Sequence, residues 1–107
     1  MKKEFVKILD KIGNDRLRVK LDIDKGIIKN VVFQYECYIN AKWTEIVRYD
    51  CAHGFFHKDV MYPNGDKEKT EIIIPTLKDS ASYAEQDIKD RWEWYKERNI
   101  KKLKNDK

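Results

Sequence analysis

The residues whose chemical types could support catalysis or binding are concentrated between Arg48 and Asp59. This stretch contains both histidines of the chain, His53 and His57, together with the carboxylates of Asp50 and Asp59. Imidazoles transfer protons near neutral pH, carboxylates orient them or bind metal ions, and a guanidinium binds phosphate. We therefore treat this stretch as the candidate functional site.

Metal-free acid–base chemistry on RNA is the preferred hypothesis for this stretch. One histidine would take a proton from a ribose 2′-hydroxyl and the other would return one to the leaving oxygen, while Asp50 orients an imidazole. The residues assigned to catalysis are Arg48, Asp50, His53, His57 and Asp59. Those assigned to substrate binding, through phosphate contacts, base stacking or position beside the site, are Lys58, Gln34, Glu36, Phe55 and Phe56.

Two other hypotheses compete with acid–base catalysis. Two imidazoles and two carboxylates are suitable ligands for zinc or another divalent metal. However, Gly54 and the two adjacent phenylalanines disfavour a helix that would place both histidines on one face, so no metal and no cofactor are expected. In the third hypothesis the site is structural, with Arg48 paired to Asp50 or Glu36 and His53 bonded to its own turn.

Strand periodicity precedes and follows this stretch. Residues 16–23 alternate polar and apolar, which predicts a half-buried strand with Leu17, Val19, Leu21 and Ile23 facing inward. Residues 27–39 and 43–51 read as a hairpin closed by a three-residue loop. Shorter extended segments are expected at 60–62 and 67–74, while 5–12 is either an edge strand or a lead-in. The pattern predicts an antiparallel meander of about five strands.

The expected hairpin register assigns side chains to faces. The predicted opposite pairs are Ile39 with Trp43, Glu36 with Ile46, Tyr35 with Val47, Gln34 with Arg48, Phe33 with Tyr49, Val32 with Asp50 and Val31 with Cys51. Arg48 and Asp50 then lie on a polar sheet face, whereas 53–59 form a turn beyond it. Cys37 and Cys51 would be roughly 20 Å apart along the ladder, so we expect free thiols.

The C-terminal segment changes to a helical period. Apolar residues recur at three- and four-residue spacing from Ala81 to Tyr95, which predicts a helix over about 78–102, capped by Thr76 or Asp79. Packing of this helix on the apolar sheet face gives an α+β fold. Trp94 points away from the apolar stripe, which indicates a contact with a partner or in a homodimer.

The length and composition fit a single domain, 1–107, with a folded core over about 15–98 and a basic tail over 99–107. The net charge of +4 permits contact with nucleic acid. No apolar run is long enough to span a bilayer, and the N-terminus does not resemble a signal peptide. We expect a cytoplasmic protein without membrane contact.

The motif Arg48-Tyr49-Asp50-x-Ala52-His53-Gly54-x-x-His57-x-Asp59, with Gln34-Tyr35-Glu36, Lys42-Trp43 and Asp87-x-x-x-x-Trp92, resembles a family of small uncharacterised prokaryotic proteins over about residues 15–98. Its Tyr-Asp-x-Ala-His-Gly-x-x-His portion is also similar to the TumE-like toxins of toxin–antitoxin pairs. The second resemblance implies an intracellular, toxin-like protein that acts on RNA and is restrained by a small antitoxin. The alternative function is a non-catalytic protein-interaction or nucleic-acid-binding module.

Overall fold

The computed structural model describes residues 1–51 and 55–105, with only the backbone over 103–105. Within these residues, six strands form one antiparallel sheet in chain order, and one helix follows it. The elements are β1 (Lys2–Ile8), β2 (Asp15–Asp24), β3 (Ile27–Ile39), β4 (Lys42–Asp50), β5 (His57–Met61), β6 (Lys67–Glu71) and α1 (Leu77–Asn105). The predicted α+β meander with a C-terminal helix on one face is confirmed, and the edge strand β1 raises the strand number to six.

The core lies between α1 and one face of the sheet. The alternation of β2 buries Leu17 and Val19 completely, and α1 contributes Ile88 and Tyr95 from its apolar stripe. The helix begins where predicted, because the Thr76 hydroxyl oxygen accepts a hydrogen bond from the backbone N–H of Asp79 at 3.1 Å. Helix α1 ends at Asn105, three residues beyond the expected end.

The β3–β4 hairpin follows the predicted register only in the half that lies farther from its turn. Pairs from Val32–Asp50 to Tyr35–Val47 form as expected, but a β-bulge then shifts Glu36 opposite Glu45. The predicted pairing of Glu36 with Ile46 is therefore wrong. So is the pairing of Ile39 with Trp43, because Ile39 pairs with Lys42.

The reason for the shift is a shorter turn. Asn40 and Ala41 form a two-residue turn with φ values of 52° and 64°, the left-handed geometry whose twist matches that of a hairpin. At the bulge, the adjacent residues Ile46 and Val47 are both buried in the core, so the apolar residues of β4 stay on the core face on either side of it. Trp43 consequently lies on the face opposite the helix, not on the apolar face.

The segment that follows residue 54 also differs from the expected turn. His57 and Asp59 lie in β5, where His57 pairs with Asp50 and Asp59 pairs with Arg48 of β4. The assignment of both residues to a turn beyond the sheet is therefore wrong. β6 ends at Glu71, three residues before the predicted end of the last strand.

Among the described residues, no helix combines the length and apolarity that a bilayer crossing requires.

Candidate functional site

The sheet face opposite α1 carries a continuous set of polar side chains, which we call the polar sheet face. It is formed by alternate residues of β2 to β5, which antiparallel pairing places side by side. The members are Arg16, Arg18, Gln34, Glu36, Arg48, Asp50, His57 and Asp59. Six of the predicted site residues, which come from three strands, therefore share this face: Gln34, Glu36, Arg48, Asp50, His57 and Asp59.

Three of these side chains form a tight buried group, which we call the Asp–His–Asp cluster: Asp50, His57 and Asp59. His57 Nε2 lies 2.9 Å from Asp50 Oδ1 and 3.6 Å from Asp59 Oδ2. The His57 side chain is only 3% exposed and that of Asp59 6%. The Asp59 Oδ1 atom is buried and has no hydrogen-bond partner among the described residues. Buried carboxylates this close to each other normally require a compensating positive charge.

Arg48 joins the cluster to the rest of the polar sheet face. Its Nε donates to Asp50 Oδ2 at 2.7 Å, and its Nη1 donates to Gln34 Oε1 at 3.1 Å. Gln34 in turn donates to Glu36, whose other oxygen accepts from Arg16 Nε at 2.6 Å. This chain of charge-assisted hydrogen bonds fixes the side chains across three strands.

Glu45 lies beside this chain, 4.0 Å from Arg48. Burial raises the pKa of the Glu45 carboxyl, and the nearby Arg48 guanidinium opposes that rise. The polar sheet face is thus partly desolvated near β4, where electrostatic interactions between its groups are stronger than in bulk water.

Other predicted site residues do not join the cluster. The Lys58 Nζ lies on the helix side, 3.3 Å from the Tyr95 hydroxyl. Phe56 is buried and stacks on Tyr49, with ring centroids 5.5 Å apart. Phe55 is 43% exposed, and its ring centroid lies 5.6 Å from that of His57. His53 lies outside the described residues.

Sequence reasoning missed an aromatic pair and two arginines on the polar sheet face. Tyr38 and Trp43 are 44% and 36% exposed, with ring centroids 5.3 Å apart. The Arg16 guanidinium carbon lies 3.7 Å from the Trp43 ring centroid, and Arg18 follows two residues later in β2. The signal was present in the alternation of β2, which puts both arginines on the face away from Leu17.

The fold and site define a class of protein: a six-stranded antiparallel meander with one covering helix, a polar outer face and a buried Asp–His–Asp cluster. The chain belongs to the family described as a domain of unknown function (DUF7718), whose sequence model matches residues 1–105. No curated protein and no solved structure matches it.

Proposed function

We propose that this protein acts on RNA as the toxin-like component of a prokaryotic toxin–antitoxin pair, and that the polar sheet face binds a single-stranded segment. The observation that carries the RNA proposal is the exposed Tyr38–Trp43 pair with Arg16 stacked on it. The partners on this proposal are RNA and a small antitoxin protein, and the location is the cytoplasm. The toxin assignment extends the resemblance to TumE-like toxins that the residues of the Tyr49–His57 segment suggest.

Exposed aromatic side chains on an open sheet suit single-stranded RNA, because unpaired bases stack on them in a sequence-tolerant way. Trp43 retains exposed ring surface although Arg16 stacks on it. The Arg16 guanidinium is also held by Glu36, so the pair is preorganised for binding. Antiparallel pairing leaves this face open because α1 occupies the other.

A row of positive side chains extends from the aromatic pair. Alternate residues of β2 place three cationic side chains on this face of the sheet: Arg16, Arg18 and Lys20. The row is roughly 13 Å long at about 3.3 Å per residue. Glu36 interacts with both arginines, and Arg18 also contacts Glu4 at 3.1 Å. These carboxylates offset part of the charge, so we expect moderate affinity that falls with salt.

The RNA proposal is tested by Trp43→Ala, with Trp94→Ala as the matched control. Trp94 is also exposed and also carries a stacked arginine, Arg98, 4.8 Å from its ring centroid, but it lies on α1. Loss of one stacked base costs about 1–3 kcal/mol. We expect Trp43→Ala to weaken binding of a fluorescent single-stranded RNA about tenfold or more, and Trp94→Ala to leave it unchanged.

Two outcomes of this titration would contradict the proposal. One is equal loss of affinity in both variants, and the other is no binding by the wild type at roughly 10⁻⁴ M, the weak end of non-specific nucleic-acid binding. Because Trp94 is also the predicted homodimer contact, the sedimentation of both variants is measured alongside.

Ribonuclease activity is the second candidate function. The 2.9 Å contact between Asp50 and His57 favours it, because a hydrogen-bonded carboxylate fixes the orientation of an imidazole in acid–base catalysis. The His57 ring is nearly buried and faces two carboxylates, so it is suited to a positioning role. His53 remains the predicted proton-transfer residue. RNA cleavage and growth inhibition by the wild type are compared with those of His53→Ala and His57→Ala. Equal activity of all three would exclude catalysis by these histidines.

A further inference from the structure

We propose that Asp50, His57 and Asp59 bind one divalent first-row transition-metal ion. Each residue offers one ligand atom, and the three atoms lie within 4.8 Å of one another. An imidazole nitrogen with two carboxylate oxygens is a recognised donor set for such ions. The proposal does not depend on RNA binding, because the aromatic pair and the cluster lie on different parts of the polar sheet face.

The distances from His57 Nε2 to the two carboxylates are close to those of a coordination sphere, and all three ligand atoms lie within 4.8 Å of one another. Metal–ligand bonds of about 2.1 Å at tetrahedral or octahedral angles place neighbouring donor atoms about 3.0–3.4 Å apart. The two measured separations from His57 Nε2 are 2.9 Å to Asp50 and 3.6 Å to Asp59. A common ion can bind all three atoms once the two carboxylate side chains adjust to its coordination distances.

The charge balance of the cluster also favours a cation. Asp59 is buried, and its Oδ1 has no hydrogen-bond partner among the residues that the structure describes. Arg48 contacts Oδ2 of Asp50, whereas Oδ1 of the same carboxylate faces His57. A divalent ion bound between the carboxylates would offset their negative charge, and bidentate binding by Asp59 would also satisfy its Oδ1.

His57 has the hydrogen-bond arrangement of a metal-bound histidine. Its Nδ1 lies 3.4 Å from the backbone carbonyl oxygen of Phe55, while Nε2 faces the carboxylates. In the metal-free protein Nε2 is placed to donate its N–H to Asp50 Oδ1; metal binding requires the tautomer with the N–H on Nδ1, which faces the carbonyl, so that Nε2 offers its lone pair to the ion. Metal-ligating histidines commonly donate their other ring N–H to a backbone carbonyl in this way.

The donor set selects among cations. Calcium and magnesium prefer oxygen ligands alone, whereas one imidazole and two carboxylates suit zinc, manganese, iron or cobalt. The cluster contains no thiolate, which disfavours copper(I). We therefore expect Zn²⁺ and Mn²⁺ to bind and Ca²⁺ to bind much more weakly.

The test uses the full chain, stripped of metal with a chelator and titrated calorimetrically with Zn²⁺ and Mn²⁺. We expect one ion per chain, and binding weakened about tenfold or more in Asp59→Asn. Asp87→Asn is the matched control, because Asp87 is a nearly buried carboxylate outside the cluster. Circular dichroism verifies that each variant is folded.

Equal affinity of the wild type and Asp59→Asn, or substoichiometric binding by the wild type, would overturn the proposal. Should Asp59→Asn fail to fold, imidazole nitrogen chemical shifts of the wild type decide instead. The chain has only two histidines, so His53→Ala assigns the resonances. Addition of Zn²⁺ is expected to shift Nε2 of His57, and an unchanged shift would refute the site.

Discussion

Asp87 shows how one side chain connects the helix to the sheet. Its Oδ2 accepts hydrogen bonds from the Tyr49 hydroxyl at 2.6 Å and the Tyr95 hydroxyl at 2.5 Å. Tyr49 belongs to β4 and Tyr95 to α1, so the carboxylate holds two elements together. Charge-assisted hydrogen bonds of this kind are stronger than neutral ones, and their loss leaves polar groups unsatisfied in the core.

We predict that Asp87→Ala lowers the free energy of unfolding by about 3 kcal/mol, because two buried hydroxyls lose their acceptor. Asp90→Ala is the control: Asp90 lies on the same helix, is exposed, and accepts a hydrogen bond from Gln86 at 2.9 Å. Its removal should change stability by about 0.5 kcal/mol or less. Urea unfolding measures both variants, and a similar loss in each would show that the Asp87 contacts contribute little.

At the scale of elements, the turn between β3 and β4 places two successive non-glycine residues, Asn40 and Ala41, in the left-handed backbone region. Ala41 has a φ of 64°, where an L-residue with a Cβ is unfavourable. We predict that Ala41→Gly stabilises the protein by about 1 kcal/mol, because glycine adopts this geometry freely and Asn-Gly is the preferred pair in such turns.

The same substitution at Ala81 is the control for the turn variant. Ala81 lies in α1, where glycine costs about 1 kcal/mol relative to alanine. Thermal unfolding should therefore shift upward for Ala41→Gly and downward for Ala81→Gly. A downward shift in both variants would show that the flexibility of glycine outweighs the relief of strain in the turn.

β2, β3, β4 and α1 were predictable because their signals are local, whereas the sequence pattern leaves β1 undecided and assigns the first part of β5 to a turn. The alternation of 16–23 gave β2, the three- and four-residue spacing gave α1, and Thr76 gave its N-cap. The bulge was not predicted, although the adjacent apolar residues Ile46 and Val47 were its signal. A register assumed to be continuous placed Trp43 in the core and hid its contact with Arg16.

The candidate site was predictable in its residues more than in its geometry. Arg48, Asp50, His57 and Asp59 were chosen by chemical type, and the structure places them on one face. Their meeting depends on the pairing of β5 with β4, which is a contact between strands and leaves no local periodicity. The lack of a local signal also explains why Lys58 was assigned to the site. Successive residues of a strand point to opposite faces of the sheet, so Lys58, which follows His57 in β5, lies on the helix side.

At the scale of the whole molecule, the core contains several hydroxyl and thiol groups that ionise only with difficulty. Burial, reinforced by hydrogen bonds to Asp15 and Asp87 respectively, raises the pKa of Tyr35 and of Tyr49 well above 10. Burial likewise raises the pKa of Cys37 to about 11 from its ordinary value of 9.0. In the unfolded chain these groups regain their ordinary pKa values.

The sign of the pH dependence follows from these shifts. Below about pH 8 the groups are protonated in both states, so they leave stability unchanged; Cys37 begins to contribute at about pH 9 and the two tyrosines at about pH 10. Above about pH 10 the unfolded chain releases protons that the folded protein retains, so the free energy of unfolding falls as pH rises. Each such group contributes about 1.4 kcal/mol per pH unit between its unfolded and its folded pKa, so Cys37 contributes only up to about pH 11. We therefore predict steep alkaline destabilisation, measured by urea unfolding at a series of pH values.

Tyr35→Phe isolates one contributor to this slope. The variant loses the 2.5 Å hydrogen bond to Asp15, so its stability at neutral pH should fall by about 1–3 kcal/mol. Its alkaline slope should nevertheless be shallower than that of the wild type by about 1.4 kcal/mol per pH unit, because one retained proton is removed. An unaltered slope in Tyr35→Phe would mean that Tyr35 ionises in the folded protein as it does in the unfolded chain.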